Sequence, residues 1–346
     1  MKADPTRIEP TYSERIWGSR SLAPIYPEKS NLAKPIGEAW LTDVECFIAT
    51  GPFAGKTLGK AWKEMPVSWR GTQLTSISDF PLLVKFIFPK DKLSIQVHPD
   101  DTYAATHERA AGGRGKTEMW HVVSAEPGAQ LLAGLKTGVT KETFLESLDA
   151  HTLEDLFLAH HVQAGETFFI PAGTPHTIGA NMIVFEVQEY SDLTYRVYDY
   201  GRVDANGKPR ELHIEKALEV MKFGNQADIR TISQPLPSHD AFKYLLAACP
   251  YFATESWEFE WNFSSESSAT HFDLFVILAG SGTLSCQESE QSYKRGECWF
   301  IPASLGKFEL KPAESTSLIR TYVPHLPSLH QELGIPETKL GKVLFH

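Results

Sequence analysis

Short apolar runs set off by glycine and proline recur along the chain: LLVKFIF from Leu82, KLSIQVH from Lys92, ETFFIPA from Glu166, MIVFEVQ from Met182, LFVILAG from Leu274 and ECWFIPA from Glu297. Their length and their Val, Ile and Phe content predict β-strands. Helical periodicity is sparser and falls between them. DDTYAATHERAAG, after His98, opens on N-capping residues and stops at Gly112 and Gly113, while KETFLESLDA and TLEDLFLAHH predict two more helices. Ile214, Ala217, Leu218 and Met221 follow the spacing of a one-faced helix. The predicted class is mainly β with helical insertions.

One pattern occurs twice. AGETFFIPAGTPHTI from Ala164 aligns with RGECWFIPASLGKFEL from Arg295, both reading G-E-x-x-F-I-P-A. Two copies of a strand-turn-strand unit predict two similar jelly-roll β-barrels of the cupin type. ILAGSGTL from Ile277 reads as a barrel hairpin leading into the second copy. The polar, proline-containing stretch QADIRTISQPLPSHD suits a linker, so the division expected is residues 1–230 and 231–346. The second copy has no histidine where the first has His176, so it is expected to be metal-free and structural.

Strand alternation supplies candidate chemistry. In KLSIQVHPDD it puts Leu93, Ile95 and Val97 on one face and Ser94, Gln96 and His98 on the other. In KTEMWHVV it groups Lys116, Glu118 and Trp120 and turns His121 away, so that Glu118 can meet Gln96 and His98 across neighbouring strands. Gly165, Pro171, Gly173 and His176 spell G-x5-P-x-G-x2-H, in which a tight turn presents the histidine at the start of the next strand. Two imidazoles, a carboxylate and an amide oxygen suit Zn²⁺, one per chain, although Fe²⁺, Mn²⁺ and Ni²⁺ accept the same donor types. His160 and His161 sit at a predicted helix end with no partner motif and are expected to be exposed.

Composition narrows the setting. A length of 346 residues with 42% hydrophobic and 22% charged residues suffices for two packed units. The formal charge of -10, with no Lys/Arg run, argues against nucleic acid as a partner. No stretch of 18 apolar residues marks a membrane span, and MKADPTRIEP lacks the apolar segment of a secretory signal. Cys46, Cys249, Cys286 and Cys298 lie far apart and read as buried free thiols, which points to a reducing cytoplasm. Nothing in the sequence fixes the oligomeric state.

Several blocks taken together resemble the type I mannose-6-phosphate isomerase (phosphomannose isomerase) family, in its short bacterial form. They are WGSRSL from Trp17, IGEAWLTD from Ile36, IQVHPDDTYA from Ile95, GKTEMWHVV from Gly115, FIPAGTPHTIG from Phe169 and FEVQEYSDLTYRVYDYGR from Phe185. The resemblance implies zinc on Gln96, His98, Glu118 and His176, the set that alternation also suggests. It implies Arg196 as the principal active-site residue, with Lys116 and Glu186 in the same pocket, and a sugar phosphate as substrate. The cupin asparagine follows its histidine after three residues, whereas Asn181 comes one position later and receives no metal role.

An aldose–ketose isomerase of this kind moves a proton between C2 and C1 through a cis-enediol and needs no redox cofactor. Arg196 suits electrostatic stabilisation, because a guanidinium is a poor base. The alternative for Arg196 is a structural ion pair with Asp192 or Asp199. Arg109, Arg114 and Lys116 are the phosphate candidates that the sequence offers. Two other readings use the same ligand set: an iron-dependent cupin oxidoreductase and a non-catalytic sugar-phosphate sensor.

Overall fold

The computed structural model describes residues 2–334 apart from 205, 225–228 and 288. Four antiparallel sheets are stacked in two facing pairs. The first pair opposes a six-stranded sheet, in spatial order Thr11–Ser19, Ile36–Trp40, Leu82–Ile87, Met182–Glu189, Glu118–Ala125 and Thr167–Ile170, to a five-stranded one. The latter runs Tyr195–Tyr198, Ile95–Val97, His176–Ile178, Gln130–Leu135 and Phe157–His161. The second pair opposes a seven-stranded sheet (Thr6–Ile8, Cys298–Ile301, Asp273–Ala279, Thr316–Tyr322, Ala253–Phe259, Phe242–Ala248, Gln234–Leu236) to a four-stranded one (Phe263–Glu266, Lys307–Pro312, Ser281–Cys286, Ser289–Lys294).

Each pair encloses its own apolar interior. Trp17, Trp120, Leu131, Phe168, Ile178 and Val184 fill the first, and Trp257, Phe263, Phe275, Trp299, Phe308 and Leu318 the second. The largest cluster lies between the pairs, where Phe86, Phe169, Phe185 and Val187 of the six-stranded sheet meet Leu246, Leu274, Phe300 and Ile319 of the seven-stranded one. Trp62 and Trp69, from the short helices Leu58–Glu64 and Val67–Arg70, join that cluster. A sheet packed on both faces explains why LLVKFI and MIVFEVQE are buried at every position and read as continuous runs.

The helices Lys141–Asp149 and Ile214–Val220 cover the outer face of the five-stranded sheet through Phe144, Leu148 and Ala217. After His98 the chain forms the helix Asp101–His107, capped by the Asp100 side chain, then a 3-10 turn ending at left-handed Gly112.

Some expectations change. TLEDLFLAHH forms a 3-10 turn, Leu153–Leu156, followed by the strand Phe157–His161, which pairs with Gln130–Leu135. A single turn is too short to sustain a helix, and the ladder supplies backbone partners that an isolated helix lacks. His160 is consequently half-buried, with Nε2 3.2 Å from the Ala133 carbonyl and its ring against Phe168, while His161 is exposed.

ILAGSGTL is not a hairpin. Gly280, at φ +87°, carries the chain from the seven-stranded sheet to the facing four-stranded one, and a Cβ there would stand 2.5 Å from the Ser315 carbonyl. The segment expected to be a linker pairs with both units: residues around Ile229 and Thr231 bond to Thr167–Ile170, and Gln234–Leu236 joins the seven-stranded sheet. The N-terminal strand Thr6–Ile8 also lies in that sheet, against Cys298–Ile301. The four cysteines are free and buried.

Candidate active site

Glu118 opens its strand on the six-stranded sheet, whereas Gln96, His98 and His176 come from the facing five-stranded one. The meeting therefore spans the interior of the sandwich, and the expected contact between neighbouring strands is replaced by one across the gap. Gln96 and His176 are register partners on adjacent strands. His176 follows a turn in which Thr174 N–H donates to the Pro171 carbonyl and Gly173, at φ +86°, donates to the carbonyl of His98 at 2.8 Å. The turn thus ties one histidine to the other. Leu93 departs from the expected alternation: the strand begins at Ile95, and Leu93 packs in the sandwich interior while Ile95 and Val97 lie under the helices.

His98, Glu118 and His176 are fully buried, and one potential ligand atom from each lies within 4.8 Å of the others. His98 Nδ1 is 2.8 Å from the Leu193 carbonyl and His176 Nδ1 2.9 Å from that of Thr174. A carbonyl can only accept, so both Nδ1 atoms carry the proton and both Nε2 atoms present lone pairs. These point at Glu118 Oε1 from 3.7 and 3.3 Å.

His98 Nε2 and both Glu118 oxygens have no hydrogen-bond partner, and Gln96 Nε2 lies 3.3 Å from His176 Nε2. Burial and the nearby Lys116 charge lower the His98 pKa, and burial drives that of His176 down to about 3, so both rings stay neutral. Burial alone would raise Glu118, but the Lys116 charge outweighs it and keeps the carboxylate ionised. A buried lone pair without a donor, beside a carboxylate that has Lys116 as its charge partner but no hydrogen bond, is costly and is relieved when a further cation joins them. The donor set fits a metal ion.

Beside this cluster opens a cavity of ≈ 440 Å³ whose lining includes Gln96, Lys116, Glu186, Arg196, Lys85 and Arg210. Lys116 Nζ is 3.3 Å from Glu118 Oε2; burial opposes its charge, but Glu118, Glu186 and Asp192 together raise its pKa. Glu186 Oε2 accepts from Trp120 Nε1 at 3.0 Å, and its Oε1 is 3.4 Å from Lys85 Nζ. Burial and the Glu118 charge raise the Glu186 pKa. Arg196 donates through Nε to Ser94 Oγ (3.3 Å) and through Nη1 to the Glu211 carbonyl (3.0 Å). Asp199, the expected structural partner, is engaged by Arg202 and Arg210, and Asp192 lies 3.9 Å from Lys85.

All seven residues singled out from the sequence therefore border one site, and other residues join them. Lys85 is almost fully buried, and the signal for it was a lysine inside the unbroken apolar run LLVKFIF. Glu38, Arg15 and Arg210 reach the cavity from strands and loops far apart in sequence, and no local pattern marked them. Of the three phosphate candidates, Lys116 alone lines this cavity. Arg109 bonds its own helix at the Ala105 carbonyl, and Arg114 borders a different depression. Asn181 takes a left-handed turn conformation (φ +62°) near Lys90, outside the cluster.

Two family models match the chain: phosphomannose isomerase type I, catalytic domain, over residues 6–119, and mannose-6-phosphate isomerase, cupin domain, over residues 243–323. Mannose-6-phosphate isomerase ManA of Bacillus subtilis is 32% identical over 319 residues, covering 90% of this chain and 97% of the relative. A mannose-6-phosphate isomerase of Streptococcus mutans is 30% identical over 311 residues, covering 89% and 95%. The crystal structure of the mannose 6-phosphate isomerase from Bacillus subtilis superposes with a TM-score of 0.83 at 28% identity, covering 92% of this chain and 99% of that one. With its two matched domains, near full-length relatives and a His–Glu–His cluster able to hold a metal beside a charged cavity, the chain belongs to the type I mannose-6-phosphate isomerase family.

Proposed function

We propose that the chain interconverts mannose 6-phosphate and fructose 6-phosphate through a cis-enediol, with one zinc ion per chain on Gln96, His98, Glu118 and His176. The observation that carries this reading is the pair of histidines whose Nδ1 atoms are held by backbone carbonyls, so that two neutral Nε2 atoms turn toward the Glu118 carboxylate, with His98 Nε2 and both carboxylate oxygens lacking a hydrogen bond. A half-turn of the Gln96 amide brings Oε1 to the same point. When bound, the metal supplies Lewis acidity toward the sugar O1 and O2.

The remaining steps belong to the protein. Glu186, its carboxyl raised toward the working range by burial and Glu118, takes the proton from C2 and returns it to C1. Lys116 is held protonated and therefore serves as a cation that positions a sugar oxygen rather than as the base. Arg196, whose Nη2 has no hydrogen-bond partner among the described residues, offers fixed positive charge to the enediolate. Arg15 and Arg210 line the same cavity and are the cations placed to meet the phosphate.

At the level of architecture, each facing sheet pair is read as a cupin-type barrel. The division falls at residues 1–230 and 231–346, with the strand Thr6–Ile8 lent to the second unit. The second unit is read as metal-free because its copy of the repeat has no histidine at the place of His176, and the potential metal cluster found among the described residues lies in the first unit. The free buried cysteines favour a reducing compartment, the cytoplasm. No described helix is long and apolar enough to cross a membrane.

Elemental analysis and coupled isomerisation of wild type and Arg196→Lys test the reading. Zinc is expected at about one per chain in both proteins. Turnover of the variant should fall on the order of 100- to 1000-fold, because lysine keeps the charge but loses the planar fork, while melting temperature and metal content stay as in wild type. Near wild-type turnover by folded, metal-loaded Arg196→Lys would remove Arg196 from the chemistry. Full activity of a metal-free, chelator-treated protein would remove the metal.

A further inference from the structure

The strand register lets the two units be compared position by position. Phe168 and Trp299 hold the same place in the G-E-x-x-F-I-P-A repeat. Across the six-stranded sheet the partners of Phe168 run to Trp120, Glu186 and Lys85. Across the seven-stranded sheet those of Trp299 run to Phe275, Arg320 and Glu255. One step along, Ile170 pairs with Glu118 and its counterpart Ile301 with Asp273. In the other direction Glu38 pairs with Ile87, and Lys243 with Trp257. Glu186, Lys85 and Glu38 of the candidate active site thus correspond to Arg320, Glu255 and Lys243. All three carry the opposite sign, while the acid at Glu118 is kept as Asp273.

The reversed row also opens on a cavity, of ≈ 400 Å³, lined among others by Lys243, Glu255, Arg320, Gln73 and His325. Most of its charges are spent on one another. Arg320 reaches Asp273 at 2.9 Å and Glu255 at 3.1 Å, and Glu255 also accepts from Trp257 Nε1 at 2.7 Å and the Tyr322 hydroxyl at 3.1 Å. Two groups are left over. The Lys243 ammonium has no ion pair or hydrogen bond among the described residues, and it rests 3.8 Å from the centre of the Trp257 ring and 4.5 Å from that of Phe263. Burial draws its pKa down to about 8. Gln73, which reaches the cavity from the chain's first half, has a buried Oε1 without a hydrogen-bond partner. A cation without a counter-ion and an acceptor without a donor, both beside an open space, are the two groups that an anion bearing a hydroxyl would satisfy.

We propose that the C-terminal unit binds a small hydroxylated organic anion in this cavity, its phosphate or carboxylate on Lys243 and a hydroxyl donating to Gln73 Oε1. The site is a second, non-catalytic pocket at the address that holds Glu186, Lys85 and Glu38 in the first unit.

Calorimetric titration of the metal-loaded full chain with glycerol 3-phosphate, and separately with glycerate, tests the proposal and separates the two sources of negative charge. Binding of at least one probe should persist in Arg15→Met, which removes from the first pocket a cation placed to meet the phosphate, and weaken about tenfold or more in Lys243→Met. Isomerase turnover and zinc content of Lys243→Met should match wild type. Gln73→Ala serves in the same way if Lys243→Met does not fold. Affinity for glycerol 3-phosphate alone assigns the site to phosphate esters, and for glycerate alone to carboxylates; either supports the proposal. No binding of either probe at millimolar concentration, or binding left unchanged by both substitutions, overturns it.

Discussion

Lys85 and Glu189 show how burial turns ordinary charged residues into specialised ones. Lys85 is enclosed by the six-stranded sheet and faces Glu186 at 3.4 Å, so removing it would leave a buried carboxylate without its cation. Glu189 accepts from the Thr117 backbone N–H at 2.8 Å and lies near Asp101; burial and that neighbouring charge raise its pKa from 4.5 to about 8. Between these values the folded chain holds a proton at this position that the unfolded chain has released, so its contribution to stability falls as pH rises through that window. Glu189→Gln removes the slope. The melting temperature of wild type relative to the variant should decline between about pH 5 and about pH 8. A constant difference would mean that Glu189 is already ionised in the fold.

At the level of elements, the turn from Pro171 to His176 couples the candidate metal ligands to the helical layer outside. Gly173 adopts φ +86°, and a Cβ there would stand 2.9 Å from the Val220 carbonyl, at the end of the helix Ile214–Val220. Gly173→Ala combines a left-handed backbone penalty of about 1–2 kcal/mol with that contact, and it displaces an amide bonded to the His98 carbonyl. Zinc held against a competing chelator should weaken in this variant. Gly207→Ala has a similar φ of +78° with nothing within 4 Å of the added carbon, and should leave zinc binding unchanged. Equal metal retention in the two variants would show that the turn does not position His98.

The whole molecule is organised around the cluster shared by the two units. Phe86, Phe169, Phe185 and Val187 of the half that carries the candidate metal cluster are covered by residues of the other half, and the strand Thr6–Ile8 pairs there as well. A chain ending at residue 230 would expose one face of the six-stranded sheet and lose the partner of its first strand. It should therefore aggregate or unfold without a cooperative transition, as read by size-exclusion chromatography and thermal melting. A monodisperse fragment that melts cooperatively with one bound zinc would show instead that the first unit folds alone.

The sequence by itself determined a mainly β chain, an internal repeat, and Gln96, His98, Glu118 and His176 as one candidate set, because alternation and the G-x5-P-x-G-x2-H spacing are local properties that a strand and a turn carry wherever they sit; Arg196, Lys116 and Glu186 came from the resemblance to the family's motifs. It also placed most strands and the helices at Asp101–His107, Lys141–Asp149 and Ile214–Val220. What tertiary structure decided were facts that depend on partners remote in the chain. The strand Phe157–His161 exists because Gln130–Leu135 supplies its ladder, and Glu118 meets the histidines across a gap between sheets rather than along one. Arg15 and Arg210 enter the cavity that Arg109 and Arg114 do not. Register, too, was settled only in three dimensions. The correspondence between Lys85 and Glu255 or Glu186 and Arg320 rests on which strands pair, and no spacing within either run encodes it.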